Sequence, residues 1–186
     1  MPTEPTPEVV KLVVAGGFGV GKTTFVGAVS EIEPLNTEAV ITEASTGIDR
    51  TDGVEKKTTT TVAFDFGRRT VDDVTLYLFG TPGQDRFWYM WDDMVRGAVG
   101  AIVLADTRRL ADCFASIDFF DVRGVPYIVA VNAFDGAPAY SEADLRAAIA
   151  LPPHIPLLQL DARESGSSTL ALLTLLKYRL SQSATA

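Results

Sequence analysis

The sequence of 186 residues contains one cysteine, Cys113, and one histidine, His154. A single thiol excludes an intrachain disulfide, and so few cysteine and histidine side chains do not supply a structural zinc site. The longest apolar run, at residues 98–105, is far shorter than the roughly 20 residues that a membrane-spanning helix needs. These absences favour a globular domain in a reducing cytosol, without direct insertion into a membrane.

Basic residues are scarce as well, because 16 lysines and arginines stand against 24 aspartates and glutamates, for a net charge of −8. Nucleic-acid binding needs a basic footprint, so we expect no nucleic acid as the main ligand. Residues 2–8 lack the features of a secretory signal, and the last residues lack a prenylation cysteine. We therefore expect a cytoplasmic protein that reaches a membrane face only through a partner.

A glycine-rich segment at residues 16–23, here called the phosphate loop, fits the pattern G-x-x-x-x-G-K-[ST]. An apolar run before it predicts a buried strand, and residues 24–29 can continue as a helix. The glycines let backbone N–H groups converge on an anion, and the helix dipole and the Lys22 ammonium favour its negative charge. We expect Thr23 to bind Mg²⁺ and the neighbouring residues to contact the nucleotide: Gly17, Phe18, Gly19, Val20, Gly21 and Thr24.

The rest of the chain alternates strand and helix patterns. Strands are predicted at residues 9–15, 58–67, 71–79, 98–105, 125–131 and 156–160, and helices at 24–29, 110–122, 142–150 and near the C-terminus. Residues 67–70 are expected to join two strands as a hairpin, and residues 31–57 to form a long loop. We expect a disordered lead-in at 1–7, one domain at 8–182 and a tail at 183–186.

This order predicts an α/β sandwich. Its sheet should have six strands, be mostly parallel and carry one antiparallel edge strand, with helices on both faces. The loops at the carboxyl ends of the parallel strands should then meet at one edge of the sheet. Three of these loops carry chemistry: residues 80–84 (Gly-Thr-Pro-Gly-Gln), 132–135 (Asn-Ala-Phe-Asp) and 161–163 (Asp-Ala-Arg).

Together with the phosphate loop and the threonines at 58–61, these loops resemble the signatures of the Ras-like small GTPases. The resemblance covers about residues 9–180 and is closer to the bacterial MglA-type GTPases and the conservon GTPases of actinomycetes. It implies a P-loop NTPase fold of the Ras-like three-layer type and a switch that binds GTP and GDP with Mg²⁺. It also implies a roadblock/LC7-type protein partner and a membrane sensor-kinase-like protein.

Residues 132–135, here called the base loop, look like the NKxD motif with Ala133 in place of the lysine. The Asp135 carboxylate can accept hydrogen bonds from N1–H and the exocyclic amine of guanine, whereas adenine has a lone pair at N1, so guanine is preferred. Asn132 is expected to brace the phosphate loop, and Ala162 and Arg163 to complete the base site. The missing lysine should lower affinity for the nucleotide.

Gly80 stands where the DxxG motif of such GTPases has an aspartate that holds a water on Mg²⁺. Asp65, on the neighbouring predicted strand, is the candidate replacement; the alternative is an aspartate on the solvent face of an edge strand. Thr61 aligns with the switch threonine that reaches Mg²⁺ and the γ-phosphate, although Thr60 could serve after a shift of one residue.

For catalysis, the resemblance assigns Gln84 to the attacking water and the Gly83 amide to the γ-phosphate. An arginine that neutralises transition-state charge is worth about 10³ to 10⁵ in rate. MglA-type relatives carry it just before the switch threonine, where this sequence has Thr60. Arg86 is a second candidate, against the simpler interpretation of a surface charge. We therefore expect slow hydrolysis that a partner can accelerate.

Two other functions fit the sequence less well. Gly80 and the missing lysine favour a nucleotide-binding scaffold that does not hydrolyse its ligand. A small-molecule P-loop kinase ranks last, because residues 137–153 contain one arginine where such enzymes use several in a lid. The aromatic cluster just beyond Gln84 is predicted to contribute either to the core or to a partner-binding face: Phe87, Trp88, Tyr89 and Trp91.

Overall fold

The structure is a computed structural model that describes residues 8–42, 59–83 and 89–184; at residues 36–42 and 59–63 it describes the backbone alone. In these ranges the strands are β1 Glu8–Gly16, β2 Leu35–Thr42, β3 Thr59–Val71, β4 Val74–Gly80, β5 Ala98–Asp106, β6 Tyr127–Asn132 and β7 Leu157–Leu160. The α-helices are α1 Lys22–Val29, α2 Trp91–Val95, α3 Phe114–Arg123, α4 Glu142–Ala148 and α5 Ser165–Ser183, and a turn of 3₁₀-helix at Leu110–Cys113 precedes α3. The helices of the described ranges include none that is long and apolar enough to cross a membrane.

The strands form one sheet in the order β2-β3-β4-β1-β5-β6-β7. All neighbours from β4 to β7 pair in parallel, and β3 runs antiparallel to both β2 and β4. The predicted α/β sandwich with a mostly parallel sheet is therefore confirmed. The carboxyl ends of β1, β4, β5, β6 and β7 lie at one edge, where the phosphate loop and the three predicted ligand loops follow them.

The sheet has a seventh strand, β2, where the sequence predicts a loop. Its residues pair with β3 from Leu35 opposite Phe66 to Thr42 opposite Thr59. The short segment shows no clear alternation and becomes a strand because β3 offers it a row of backbone hydrogen-bonding groups. The antiparallel strand β3 therefore lies between β2 and β4, and β2 is the edge strand. Residues 43–58 lie outside the described ranges. They include the remainder of the predicted loop and Thr58, the first threonine of the run at 58–61.

The two predicted strands do pair as an antiparallel hairpin, but its turn is not at residues 67–70, because these residues belong to β3 and pair with β4. The turn lies instead at Asp72 and Asp73, and Asp72 has a φ of 52°, a left-handed conformation that aspartate tolerates. Gly67 has a packing role inside the strand. A Cβ built on it would lie 2.7 Å from Cγ1 of Val26, so its hydrogen lets α1 approach the sheet closely.

The core consists of two apolar layers, one on each face of the sheet. Along β1, Leu12 and Val14 belong to the layer under α1 and α5, while Val13 and Ala15 belong to the opposite layer. This alternation follows from the two-residue period of a strand that is buried on both faces.

The aromatic cluster predicted beyond Gln84 separates into core and surface residues. Trp91 is 2% exposed and packs edge-to-face against Phe119, with ring centroids 5.1 Å apart. Tyr89 is 58% exposed. Phe87 and Trp88 lie outside the described ranges. The predicted core role is therefore confirmed for Trp91, and a partner-binding face at Tyr89 stays a prediction.

Candidate nucleotide-binding site

The phosphate loop joins β1 to α1 and depends on glycine conformations. Gly16 has a φ of 138°, and Gly21, the residue before α1, has a φ of 105°. A Cβ on Gly16 would overlap the carbonyl oxygen of Leu104 in β5. One on Gly21 would lie 2.7 Å from Nδ2 of Asn132. These glycines let the chain turn sharply between the sheet and the N-terminus of α1, where free backbone N–H groups can bind an anion.

Lys22 is the first residue of α1, directly after this turn, and is 8% exposed. Its Nζ donates hydrogen bonds to the carbonyl oxygens of Gly16 at 2.8 Å and Gly17 at 2.7 Å. Burial lowers the pKa of Lys22 to about 8, and the charge of Asp65 partly opposes this shift. The ammonium is therefore held next to the anion site, but its charge is easier to lose than that of an exposed lysine.

The pKa of Lys22 predicts a pH dependence of phosphate binding. Because a polyphosphate binds the ammonium form, affinity for GDP should be constant below about pH 7. It should fall above pH 8 by up to about tenfold per pH unit, since the free amine must then be protonated on binding. Titrations between pH 6.5 and 9.5 would measure this. Lys22→Arg, which stays protonated, is the control; an equally steep loss in that variant would contradict the assignment to Lys22.

Two neighbouring loops hold the outward-facing carbonyls of the phosphate loop. Nδ2 of Asn132, which is 5% exposed, donates to the carbonyl of Val20 at 3.0 Å, and its Oδ1 accepts from the backbone N–H of Ala162 at 2.9 Å. Arg109, in the loop after β5, donates to the carbonyl of Phe18. Asn132 is in the place that the sequence suggested. The contact of Arg109 with the phosphate loop was not predicted. The signal in the sequence was the pair Arg108 and Arg109 just after β5, a strand whose carboxyl end lies at the same edge of the sheet as the phosphate loop.

Asp65 is buried, at 8% exposure, and does not lie on a solvent face. It is the cross-strand partner of Gly80, and its Oδ2 accepts a hydrogen bond from Oγ1 of Thr23 at 2.7 Å. A Cβ built on Gly80 would lie 3.0 Å from Oδ2 of Asp65. The two positions therefore share one space, which Asp65 fills from the neighbouring strand.

The wall of the cradle is completed by residues after β4. Thr81 is 2% exposed, and its Oγ1 has no hydrogen-bond partner within the described part of the chain. Gly83 lies against the phosphate loop, since a Cβ on it would lie 2.7 Å from Nζ of Lys22. The resulting cavity is lined by Phe18, Gly19, Gly21, Lys22, Thr23, Thr24, Asp65, Thr81, Pro82 and Gly83.

These groups suit Mg²⁺ bound together with phosphate oxygens. The cation prefers carboxylate, hydroxyl and water oxygens, and Asp65, Thr23 and the unpartnered hydroxyl of Thr81 provide the first two. The described residues contain no cluster of three or more histidine, cysteine, aspartate or glutamate side chains that could hold a metal by themselves. The side chain of Thr61 and the whole of Gln84 and Arg86 lie outside the description.

The base loop follows β6 and carries Asp135, whose two carboxylate oxygens accept from Arg163 at 3.1 and 3.2 Å. Arg163 also donates to Asp161, from Nη2 at 2.7 Å and from Nε at 2.9 Å. Arg163 lowers the pKa of both aspartates, that of Asp161 to about 2. Arg108, paired with Asp106 at 2.7 Å, stacks on Phe134 with its guanidinium carbon 3.8 Å from the ring centroid. The sequence did not predict these pairings.

This arrangement brings a glycine cradle, a lysine, the buried carboxylate of Asp65 and the exposed carboxylate of Asp135 to one edge of a parallel sheet. Comparison with solved structures shows which known fold the chain shares. The chain resembles the cytosolic domain of the T. maritima FeoB iron transporter in its apo form, with a TM-score of 0.63 over 92% of this chain and 64% of that one. At 18% identity the similarity concerns the fold. The fold and the phosphate-loop motif together define a P-loop NTPase.

The family follows from sequence comparison. Residues 14–182 match the model of the family described as "conserved hypothetical ATP binding protein", and the chain belongs to this family. It is also 33% identical to the uncharacterized protein MJ1339 of Methanocaldococcus jannaschii over 128 residues, which cover 68% of this chain and 71% of that protein.

Proposed function

We propose that this protein is a small GTPase that binds GTP and GDP with Mg²⁺, hydrolyses GTP slowly and relays its nucleotide state to a protein partner. The observation that carries the proposal is the double hydrogen bonding of Asn132 to Val20 and Ala162. It ties the base loop to the phosphate loop. A nucleotide with its phosphates at Lys22 would then have its base next to Asp135.

Guanine is the base that the chemistry of Asp135 favours, although the description of the family names ATP. A carboxylate accepts two hydrogen bonds from guanine, at N1–H and at the exocyclic amine. Adenine presents a lone pair there, and an acceptor facing an acceptor leaves both unpaired at a cost of about 1–3 kcal/mol if they are buried. Asp135 thus supports GTP over ATP.

In the proposed hydrolysis, the residues of the site would have separate roles. Lys22 and the N–H groups of the phosphate loop would bind the phosphates, and the amide of Gly83 would donate to the terminal one. Thr23, Thr61 and Asp65 would hold Mg²⁺, which when bound supplies positive charge against the phosphate oxygens. Gln84 would orient the attacking water. With Thr60 in place of an arginine, intrinsic turnover should be slow.

Asp65→Asn should raise the Mg²⁺ concentration needed for half-maximal GTP binding by about tenfold or more, because it removes the carboxylate beside Thr23. Magnesium titrations of GTP binding would measure this. The swap variant Asp65→Gly with Gly80→Asp should restore much of the dependence, since the two positions share one space. Asp73→Ala, an exposed aspartate of the same hairpin, is the matched control. An unchanged magnesium requirement in Asp65→Asn would rule out a metal-holding role.

Release and identification of the nucleotide that the purified protein carries tests the proposed function most directly. We expect GDP or GTP, and a single-turnover rate of about 10⁻⁴ to 10⁻² s⁻¹ with GTP. Bound guanine nucleotide without turnover would favour the scaffold function instead, which Gly80 and Ala133 support. Bound adenine nucleotide without any turnover of GTP, or failure to bind any nucleotide, would refute the GTPase.

The partner is proposed from the resemblance to the MglA-type and conservon GTPases. It would be a roadblock/LC7-type protein acting beside a membrane sensor-kinase-like protein, which would recruit this chain to the membrane face. A purified roadblock-type protein should bind the GTP-loaded form more tightly than the GDP-loaded form, as size-exclusion chromatography of the two loaded states would show. Equal binding of both forms would argue against a switch.

A further inference from the structure

The base-recognition carboxylate already has an internal ligand. Arg163 donates to both oxygens of Asp135, at 3.1 and 3.2 Å, through two different guanidinium nitrogens. These are the same oxygens that N1–H and the exocyclic amine of guanine would need. Because the two carboxylate oxygens face one guanidinium, the planar fork of Arg163 imitates the paired donors of a guanine edge.

Arg163 can release Asp135 without losing its place. Its Nε and Nη2 also bind Asp161, at 2.9 and 2.7 Å. The loop that carries both residues is held by its own backbone: Ala162 donates to Asn132, and Glu164 donates to the carbonyl of Asp161 at 2.9 Å. Arg163 is half-exposed and the Asp135 side chain is 86% exposed, so a base has access to this pair.

We propose that Arg163 sets the base selectivity of the site by competing with guanine for Asp135, and that the closed pair lets adenine nucleotides bind as well. This inference rests on the proposed nucleotide-binding function. Guanine must open the pair to reach Asp135, and this lowers its net affinity. Adenine leaves the pair closed, and the guanidinium neutralises the carboxylate that would otherwise repel the adenine N1 lone pair.

The pair thus reduces the preference for guanine in two ways, because it lowers the affinity for guanine nucleotides and raises the affinity for adenine nucleotides. It accounts for a guanine-type aspartate in a chain whose family is described as ATP-binding. The size of the effect follows from the exposure of the pair, because exposed ion pairs shift an equilibrium by up to about fivefold. Salt screens such pairs, so the preference for guanine should increase with ionic strength.

Arg163→Ala should tighten GDP binding and weaken ADP binding, each by about three- to fivefold, so that their affinity ratio changes by about tenfold. Calorimetric titration with GDP and ADP would measure both. In the wild-type protein the ratio should rise between 50 and 500 mM salt, and in Arg163→Ala it should stay constant. GDP and ADP carry the same phosphates, so the general effect of salt on phosphate binding cancels in the ratio.

Three variants separate the pair from other roles of Arg163. In an Asp135→Asn background, Arg163→Ala should no longer change the ratio. Arg163→Lys, which keeps the charge but not the two-point contact, should lie between the wild type and Arg163→Ala. Arg96→Ala removes an arginine from another exposed ion pair, with Asp93, near the start of β5 at the opposite edge of the sheet, and should change nothing.

Unchanged affinities for both nucleotides in Arg163→Ala, or an equal weakening of both affinities, would overturn the inference while leaving nucleotide binding in place. The second result would mean that Arg163 supports the base by stacking rather than competing for Asp135. Failure of the wild-type protein to bind either nucleotide would overturn the proposed function and the inference with it.

Discussion

Asp135→Asn is expected to weaken GTP binding by at least about 100-fold and to create binding of xanthosine triphosphate. The asparagine amide can turn only one acceptor to guanine, and its NH₂ group faces the exocyclic amine as a second donor. Xanthine has a carbonyl oxygen in place of that amine and accepts from the new NH₂ group. Competition titrations with GTP, ATP and xanthosine triphosphate would show the exchange.

The control for this exchange is Asp118→Asn, which removes an exposed carboxylate on α3 away from the base loop. It should bind all three nucleotides like the wild type. If Asp135→Asn kept its affinity for GTP, Asp135 would not contact the base. If ATP were the tightest ligand of the wild type and the variant did not alter it, the chain would be an ATP-binding protein, as the description of its family states.

Gly16→Ala should lower the free energy of unfolding by about 3 kcal/mol or more, because it combines two costs. The φ of 138° at this position is available to glycine and hardly to alanine. The new Cβ would also meet the backbone carbonyl of Leu104, an atom of the central strand β5 that cannot move aside. Urea denaturation followed by circular dichroism would give the difference.

Gly19→Ala is the matched control within the same loop. Its φ is 71°, but the nearest atom to a Cβ there is Nη2 of Arg109 at 3.8 Å, so only the cost of the left-handed conformation applies, about 1 kcal/mol. Equal losses in the two variants would show that conformation alone, and not contact with β5, makes glycine necessary at position 16.

The phosphate loop is preorganised by donors that come from different parts of the chain. Lys22 binds the carbonyls of Gly16 and Gly17, while Asn132 binds that of Val20. Because these carbonyls are already held, the loop keeps one conformation before an anion binds, and little order has to be created on binding.

The sequence by itself determined the features that depend on neighbouring residues. The pattern of the phosphate loop is complete within eight residues, and the apolar runs around it specify a buried strand and a helix. In the same way, Ser141 directly precedes α4 and caps it, since its side chain accepts from the backbone N–H of Asp144. Local geometry is enough for such predictions.

The tertiary structure decided the pairings between distant residues. Thr23 and Asp65 are 42 positions apart, and Asp135 and Arg163 are 28 apart, so no periodicity relates them. The β3–β4 register places Asp65 beside Gly80, and the parallel order of β6 and β7 brings the last two loops together. The sequence predicted which groups would bind a nucleotide. Sheet pairing alone determined which of them contact one another, because it brings together strand ends that are remote along the chain.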